Sequence, residues 1–103
     1  EYSISAYHDN EFSWIRCDGK GSFVSSPVIK DWCENELEAG ASCIVVDLEN
    51  CKSMDSTFMG TMAGLAMRLM KLPEGKLQIA GPYFEQFEKL FLHHCLRMEE
   101  ELH

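Results

Sequence analysis

Apolar and polar positions near the start of the chain alternate in a way that is typical of short β-strands. The segments Tyr2–His8 and Phe12–Cys17 are rich in residues that favour strands, and Asp9 and Asn10 between them are turn formers. This pattern predicts a β-hairpin.

A helical pattern follows once the glycines at positions 19 and 21 interrupt the second strand. Ser25-Ser26-Pro27 supplies an N-cap followed by a proline in the first turn, and Gly40 stands where a C-terminal cap belongs. We therefore predict a helix from this cap to about Ala39. Its apolar stripe consists of Val28, Ile29, Trp32, Cys33 and Leu37.

The middle of the chain predicts a buried strand, a polar turn and a second helix. Cys43–Val46 is a short apolar run with β-branched residues, which favours a strand in the centre of a sheet. From Ser56 to Leu72 apolar residues recur on one helical arc, and Pro73-Glu74-Gly75 ends that pattern. The arc consists of Phe58, Met62, Leu65, Ala66, Leu69 and Leu72.

The last part of the chain predicts a strand near a sheet edge and a third helix. Lys76–Ala80 alternates with a period of two, and Gly81-Pro82 begins the helix. The inner face of this helix carries Phe84, Phe87, Leu90 and Phe91. A final short strand is predicted at Leu96–Met98, before an acidic run that is expected to be solvated.

The resulting order, β-β-α-β-α-β-α, predicts the α/β class. We expect a mixed sheet of four to five strands that begins with a β-hairpin and has helices packed on it. The 103 residues suit a single domain, 1–103, and the 46% apolar content is typical of a chain that folds alone.

Charge and hydropathy argue against two classes of partner. A net charge of -8 has the wrong sign for a phosphate backbone, so we expect no direct nucleic-acid binding. No apolar run approaches the roughly 20 residues that span a bilayer, so we expect no membrane association and a cytoplasmic location.

The cysteines and histidines do not have the spacing of a metal site or a disulfide framework. The five cysteines include no C-x-x-C pair. His93, His94 and Cys95 are adjacent, and adjacent helical side chains point about 100° apart and cannot converge on one ion. We predict no metal and no cofactor.

The stretch from Val45 to Gly60 resembles the signature of STAS domains, the anti-sigma factor antagonist family. That signature is a hydrophobic strand ending in Asp-Leu, then a hydrophobic residue followed by Asp-Ser-Ser/Thr-Gly-hydrophobic-Gly. The matching residues are Val45–Leu48, Met54-Asp55-Ser56-Thr57, Met59 and Gly60. The predicted order of elements agrees with this family over nearly the whole chain, which implies a STAS-like domain.

The resemblance implies a phosphorylation switch at Ser56. In this family the serine directly after the aspartate is phosphorylated by a partner protein kinase that is also an anti-sigma factor, and Thr57 is the second candidate here. The implied function is a regulatory, non-enzymatic module with an anti-sigma factor or related serine protein kinase as its partner. The residues alone allow a simpler interpretation, in which Asp55, Ser56 or Thr57 only caps the helix.

The glycines of the second helix extend the predicted partner surface. Gly60 and Gly64 lie away from the apolar arc, and each costs about 0.8–1 kcal/mol relative to alanine, so the pair indicates close approach by a partner or by the neighbouring helix. The complete set of candidate partner contacts is Asp55, Ser56, Thr57, Phe58, Gly60, Gly64 and Met67.

Phe58 departs from the family pattern, which has a glycine at this position. Its helical phase places the ring in the middle of the apolar arc, so we predict that it is buried.

Two alternative functions belong to other classes. The chain has no G-x-S-x-G, Walker A, G-x-G-x-x-G or H-E-x-x-H motif, which disfavours catalysis. An aspartyl-phosphate receiver would use Asp47 as the acceptor, but the predicted initial hairpin argues against that fold. A STAS-like scaffold or oligomer module that does not switch stays open.

Overall fold

The computed structural model describes residues 1–83, 85, 86 and 89. In this part of the chain, five strands form one mixed sheet and two helices share a core with it. The α/β class and the initial hairpin are confirmed. The elements are β1 (Tyr2–His8), β2 (Ser13–Gly21), α1 (Ser26–Glu38), β3 (Cys43–Asp47), β4 (Cys51–Met54), α2 (Ser56–Met70) and β5 (Lys76–Ala80).

The sheet has the order β1-β2-β3-β5, and β4 pairs with the end of β2. β1 is antiparallel to β2, whereas β3 is parallel to both β2 and β5. The predicted central position of β3 is therefore confirmed, and β5 lies at the edge of the described sheet as predicted. Because β3 and β4 run in the same direction as β2, the carboxyl ends of these strands lie at one end of the sheet.

The core lies between the sheet and the two helices. Alternate residues of β2, Ile15 and Cys17, point into it, as do Ile44 and Val46 of β3. Complete burial of a large apolar side chain stabilises a fold by about 1.5–3 kcal/mol. The helices contribute Ile29, Cys33, Phe58, Met62, Leu65 and Leu69.

The structure corrects the predictions around β2 and β4. β2 continues through both glycines to Gly21, instead of ending at Cys17, and the predicted polar turn contains the strand β4. The two extensions support each other, because Lys20 pairs with Ser53 and Gly21 pairs with Met54. β4 was not predicted because Lys52 and Ser53, its central residues, are both exposed and give no apolar alternation.

The helix ends also differ from the predictions in detail. α2 ends at Met70, two residues before the predicted end at Leu72. Ser25 occupies the N-cap position of α1, but its buried hydroxyl donates to the Lys20 carbonyl at 3.0 Å instead of capping the helix. Val28, predicted in the apolar stripe, is exposed.

The third helix is only partly covered by the structure. Glu85, Gln86 and Lys89 have helical backbone. The predicted inner face at Phe84, Phe87, Leu90 and Phe91, and the predicted strand at Leu96–Met98, lie outside the described residues. Within the described part, no helix has the length and apolar character that crossing a membrane requires.

Candidate functional site

The N-terminus of α2 is held in place by the carboxylate of Asp55. One oxygen of this N-cap side chain accepts a hydrogen bond from the backbone N–H of Phe58 at 2.8 Å. The other accepts from the N–H of Phe23, in the loop between β2 and α1, at 2.9 Å. The N–H of Asp55 also donates to the Gly21 carbonyl at 2.9 Å. Asp55 therefore joins the start of α2 to the loop before α1.

Ser56 and Thr57 form the exposed first positions of α2. Neither hydroxyl makes a hydrogen bond to any described residue, so the capping role belongs to Asp55 and not to them. The first backbone N–H groups of a helix have no acceptor within it, and they lie at the positive end of the helix dipole. The first turn of α2 also contains no acidic residue. The N–H of Phe58 is taken by Asp55, so the N–H groups of Ser56 and Thr57 are the ones left in this turn for an added anion, which would lie next to the Asp55 carboxylate.

Phe58 is fully buried, with an exposed fraction of 0%. Its predicted burial is confirmed, and its inclusion among the candidate partner contacts is wrong, because a buried ring presents no surface. The ring occupies the space beside Gly21 of β2. A Cβ atom added at Gly21 would lie 2.9 Å from Cδ1 of the ring, which is closer than van der Waals contact allows.

Gly60 and Gly64 face an open groove between α1 and α2. A Cβ atom added to either glycine would meet no atom of the described residues within 4 Å, so the neighbouring helix α1 does not explain them. The groove has a volume of about 360 Å³, and Thr57 lines it near its start. Arg68 of α2 and Glu34 of α1 form an ion pair across it at 3.3 Å. Met67, another candidate contact, is half-buried.

The sequence does not predict a second opening, which Asp55 borders. This pocket of about 460 Å³ is lined by Phe23 and Val24 of the loop between β2 and α1, and by Met54 and Asp55. The sequence does contain a signal for it. Phe23 and Val24 are large apolar residues that fall outside every predicted element.

Asp47, the acceptor in the receiver hypothesis, is engaged in other interactions. It lies at the end of β3 and is buried. Its carboxylate forms an ion pair with Arg16 at 3.3 Å and accepts a hydrogen bond from the N–H of Glu49 at 3.0 Å. The guanidinium of Arg16 also lies over the Trp14 ring. These contacts describe a structural ion pair that links β3 to β2.

The described cysteines are free thiols, and three of them are buried. Burial raises the pKa of Cys17 to about 11 and that of Cys33 to about 12. Burial likewise raises the pKa of Cys51. Because the thiolate is the nucleophilic form, these side chains act as small apolar core residues. Among the described residues, no cluster of three His, Cys, Asp or Glu could hold a metal ion; His93, His94 and Cys95 lie outside them.

Solved structures with this fold include two forms of the anti-sigma factor antagonist SpoIIAA. The phosphorylated form of SpoIIAA, a Bacillus cell fate determinant, is 21% identical over 91% of this chain and 83% of that one, with a TM-score of 0.68. The unphosphorylated form is 18% identical over 84% of this chain and 79% of that one, with a TM-score of 0.66. At these identities the likeness shows a shared fold.

A larger protein also contains this fold. Mglu is 15% identical over 76% of this chain, with a TM-score of 0.64, but the match covers only 19% of Mglu, so the present chain spans about a fifth of it. None of the curated protein sequences matches this chain.

The family assignment comes from the sequence match. Residues 3–99 match the STAS domain, a range that includes the hairpin except for Tyr2, the helix α1 and the Asp55–Ser56 start of α2. The chain belongs to the STAS domain family.

Proposed function

We propose that this chain is a regulatory protein-binding module that a partner protein controls by phosphorylating Ser56. The partner is an anti-sigma factor or a related serine protein kinase, and it binds the unmodified domain through the start of α2. The observation that carries the proposal is the exposed hydroxyl of Ser56, which no described residue engages, at the first position of a 15-residue helix. The shared fold with the antagonist SpoIIAA supports it.

The electrostatics of this position suit a switch. A phosphate at the helix N-terminus is stabilised by the helix dipole and by free N–H groups, so the modified domain keeps its fold. The same phosphate brings about -1.5 to -2 charges next to the Asp55 carboxylate, on a chain that already carries -8. A partner surface that fits the neutral hydroxyl is then repelled.

The experiment uses the wild-type domain and a serine kinase purified from the source cells by its activity on that domain. We expect phosphate on Ser56 by mass spectrometry, no transfer to Ser56→Ala, and no transfer from ATP without the kinase. Thr57→Ala is the matched control, since it removes the neighbouring hydroxyl and should leave the modification intact. The phosphorylated domain should bind the kinase more weakly than Ser56→Ala.

Two results would contradict a switch at Ser56. Phosphate on Thr57 alone would move the acceptor by one residue. No phosphate on either residue, with the kinase active on a control substrate, would favour a second candidate, a STAS scaffold or oligomer module that does not switch. The burial of Phe58 favours that candidate, because this chain has a large buried ring at a position where the family has a glycine.

A further inference from the structure

The first strand of the sheet, β1, has one free edge. It pairs with β2 on one side, and no strand in the described part of the chain pairs with its other side. All of its residues except Ile4 are exposed. An unpaired edge presents a row of backbone N–H and C=O groups that another strand can pair with.

The sequence of β1 contains none of the features that usually protect such an edge. The segment Tyr2–His8 has no Lys, Arg, Asp, Glu or Pro, and its pairing with β2 continues without a bulge. The strand at the other edge of the described sheet, β5, has five residues instead of seven and begins with the exposed Lys76. Of these two edges, β1 is therefore the one that is open to strand pairing.

Hydrogen bonds at the two ends of the hairpin show which backbone groups of β1 face the free edge. At one end the N–H of Lys20 donates to the Glu1 carbonyl at 3.1 Å. At the other end the N–H of Asp9 donates to the Phe12 carbonyl, also at 3.1 Å. Hydrogen-bonded and non-hydrogen-bonded pairs alternate along antiparallel strands, so the odd-numbered residues of β1 bond to β2. The even-numbered residues direct their backbone groups to the free edge, and they are Tyr2, Ile4, Ala6 and His8.

A second, antiparallel copy of β1 pairs with all of these groups when the two-fold axis passes at Ser5. In that register Ile4 lies opposite Ala6 of the second copy, and Tyr2 lies opposite His8 of the second copy. Each of these is a hydrogen-bonded pair, because both members have their backbone groups on the free edge. An axis one residue away in either direction leaves one end of the strand unpaired.

The side chains of β1 are also self-complementary in this register. Residues directly opposite each other on two strands have Cβ atoms about 4.5–5.5 Å apart, so their sizes must fit. The larger Ile4 faces the small Ala6 on one side of the sheet, and Tyr7 faces the small Ser3 on the other. At the axis Ser5 faces Ser5 of the second copy, a pair whose hydroxyls can hydrogen-bond to each other.

The size and charge of this pairing indicate a weak dimer that salt strengthens. A seven-residue strand is about 23 Å long, so the pairing covers a narrow strip and not the roughly 800 Å² per partner of a standard interface. Glu1 of one copy also meets Asp9 of the other at each end, and each copy carries a net charge of -8. Salt screens this repulsion between exposed charges.

We propose that the free edge of β1 is a dimerisation surface, at which two copies of this chain join their sheets in antiparallel fashion about a two-fold axis at Ser5. A two-fold axis makes each contact occur twice, so a single self-complementary strand is sufficient to form a closed dimer. The proposal goes beyond the proposed function and does not depend on modification of Ser56.

The test measures self-association by sedimentation in a concentration series that reaches about 1 mM. We expect a monomer–dimer equilibrium in the wild type that shifts toward the dimer when NaCl is raised from about 0.05 M to about 0.5 M. Ser5→Lys and Ser5→Glu should each weaken the dimer at least about tenfold, because like charges then lie directly opposite each other. An equimolar mixture of the two variants should dimerise again, because the charges at the axis are then opposite.

Two further variants serve as controls. Gln78→Lys places the same charge at an exposed position of β5 and should leave self-association unchanged. Ala6→Pro removes an N–H that faces the free edge and takes no part in the pairing with β2, so it should keep the fold and lose the dimer. Circular dichroism melts check the fold of every variant, and Ala6→Pro decides the matter if Ser5→Lys does not fold.

Several outcomes would overturn the proposal. A wild-type domain that stays monomeric over the whole concentration series has no such surface. A dimer that persists in both Ser5→Lys and Ala6→Pro lies elsewhere on the molecule, and a dimer that Gln78→Lys abolishes lies at β5. Variants with Lys and Glu at position 5 that stay monomeric when mixed would rule out the axis at Ser5. None of these results bears on phosphorylation of Ser56, which is measured separately.

Discussion

The ring of Phe58 fills the space that a side chain at position 21 would otherwise occupy, so Gly21 leaves room for it. The Phe58 ring enters the core from the first turn of α2 and lies against the backbone of β2 at Gly21. Gly21 does not have a positive φ, so the constraint on it is steric and comes from the ring. The pairing explains how a large residue is accommodated at a position where the family has a glycine.

The pairing predicts non-additive effects on stability. Phe58→Ala should cost about 3–5 kcal/mol in the free energy of unfolding, because it leaves a cavity. Gly21→Ala should cost about 1–3 kcal/mol, because its methyl group overlaps the ring. In the double variant the methyl group occupies part of the cavity, so the combined loss should be smaller than the sum. Urea unfolding of the wild type, the two single variants and the double variant measures these losses. Strictly additive losses would show that the two residues do not compete for space.

At the scale of the element, α2 has one fully apolar side and one nearly bare side. Phe58, Met62, Leu65 and Leu69 bury the first, whereas Gly60 and Gly64 leave the second open. Helix propensity does not favour these glycines, and no described neighbour needs the space. In the proposed mechanism these glycines serve partner binding and not stability, because a partner can approach the helix backbone there.

Replacing these glycines should stabilise the isolated domain. Neither has a positive φ, and within the described part of the chain a Cβ atom at either position meets nothing within 4 Å, so alanine fits without strain. Each of Gly60→Ala and Gly64→Ala should raise the free energy of unfolding by about 0.5–1 kcal/mol, measured by urea denaturation. Gly64→Arg should keep the fold and block the kinase. A Gly64→Ala domain that is less stable than the wild type would mean that another part of the chain packs on this groove.

The elements with a strong apolar period could be predicted from the sequence, and those defined by pairing could not. The helices and β5 follow from periodicity, turn residues and caps. β4 has two exposed polar residues at its centre and exists because β2 continues beyond Cys17 to pair with it. The same distinction holds at the start of α2. The position of Ser56 could be predicted from local sequence, whereas the hydrogen bond from Phe23 to Asp55 could not, because these residues are distant in the chain.

At the scale of the whole molecule, the core contains ionisable groups that must stay neutral. Cys17 comes from β2 and Cys33 from α1, and both lie in the cluster that joins the sheet to the helices. Burial, with a smaller contribution from the nearby Cys51 for Cys17, raises the pKa of these thiols from 9.0 to about 11 and about 12. The folded state therefore holds its thiol protons at a pH at which the unfolded chain releases them.

This difference predicts a loss of stability at alkaline pH. Below pH 9 both states keep the protons and the thiols have no effect on the pH dependence. Above pH 9 the unfolded chain ionises first, and the free energy of unfolding falls up to about pH 11 for Cys17 and about pH 12 for Cys33. Urea unfolding at about pH 8 and about pH 10 should show this fall in the wild type and a smaller one in Cys33→Ala. Lysines and tyrosines titrate in both proteins, so the difference between the two slopes isolates the thiol. Equal slopes would mean that the Cys33 thiol ionises as readily in the folded domain as in the unfolded chain.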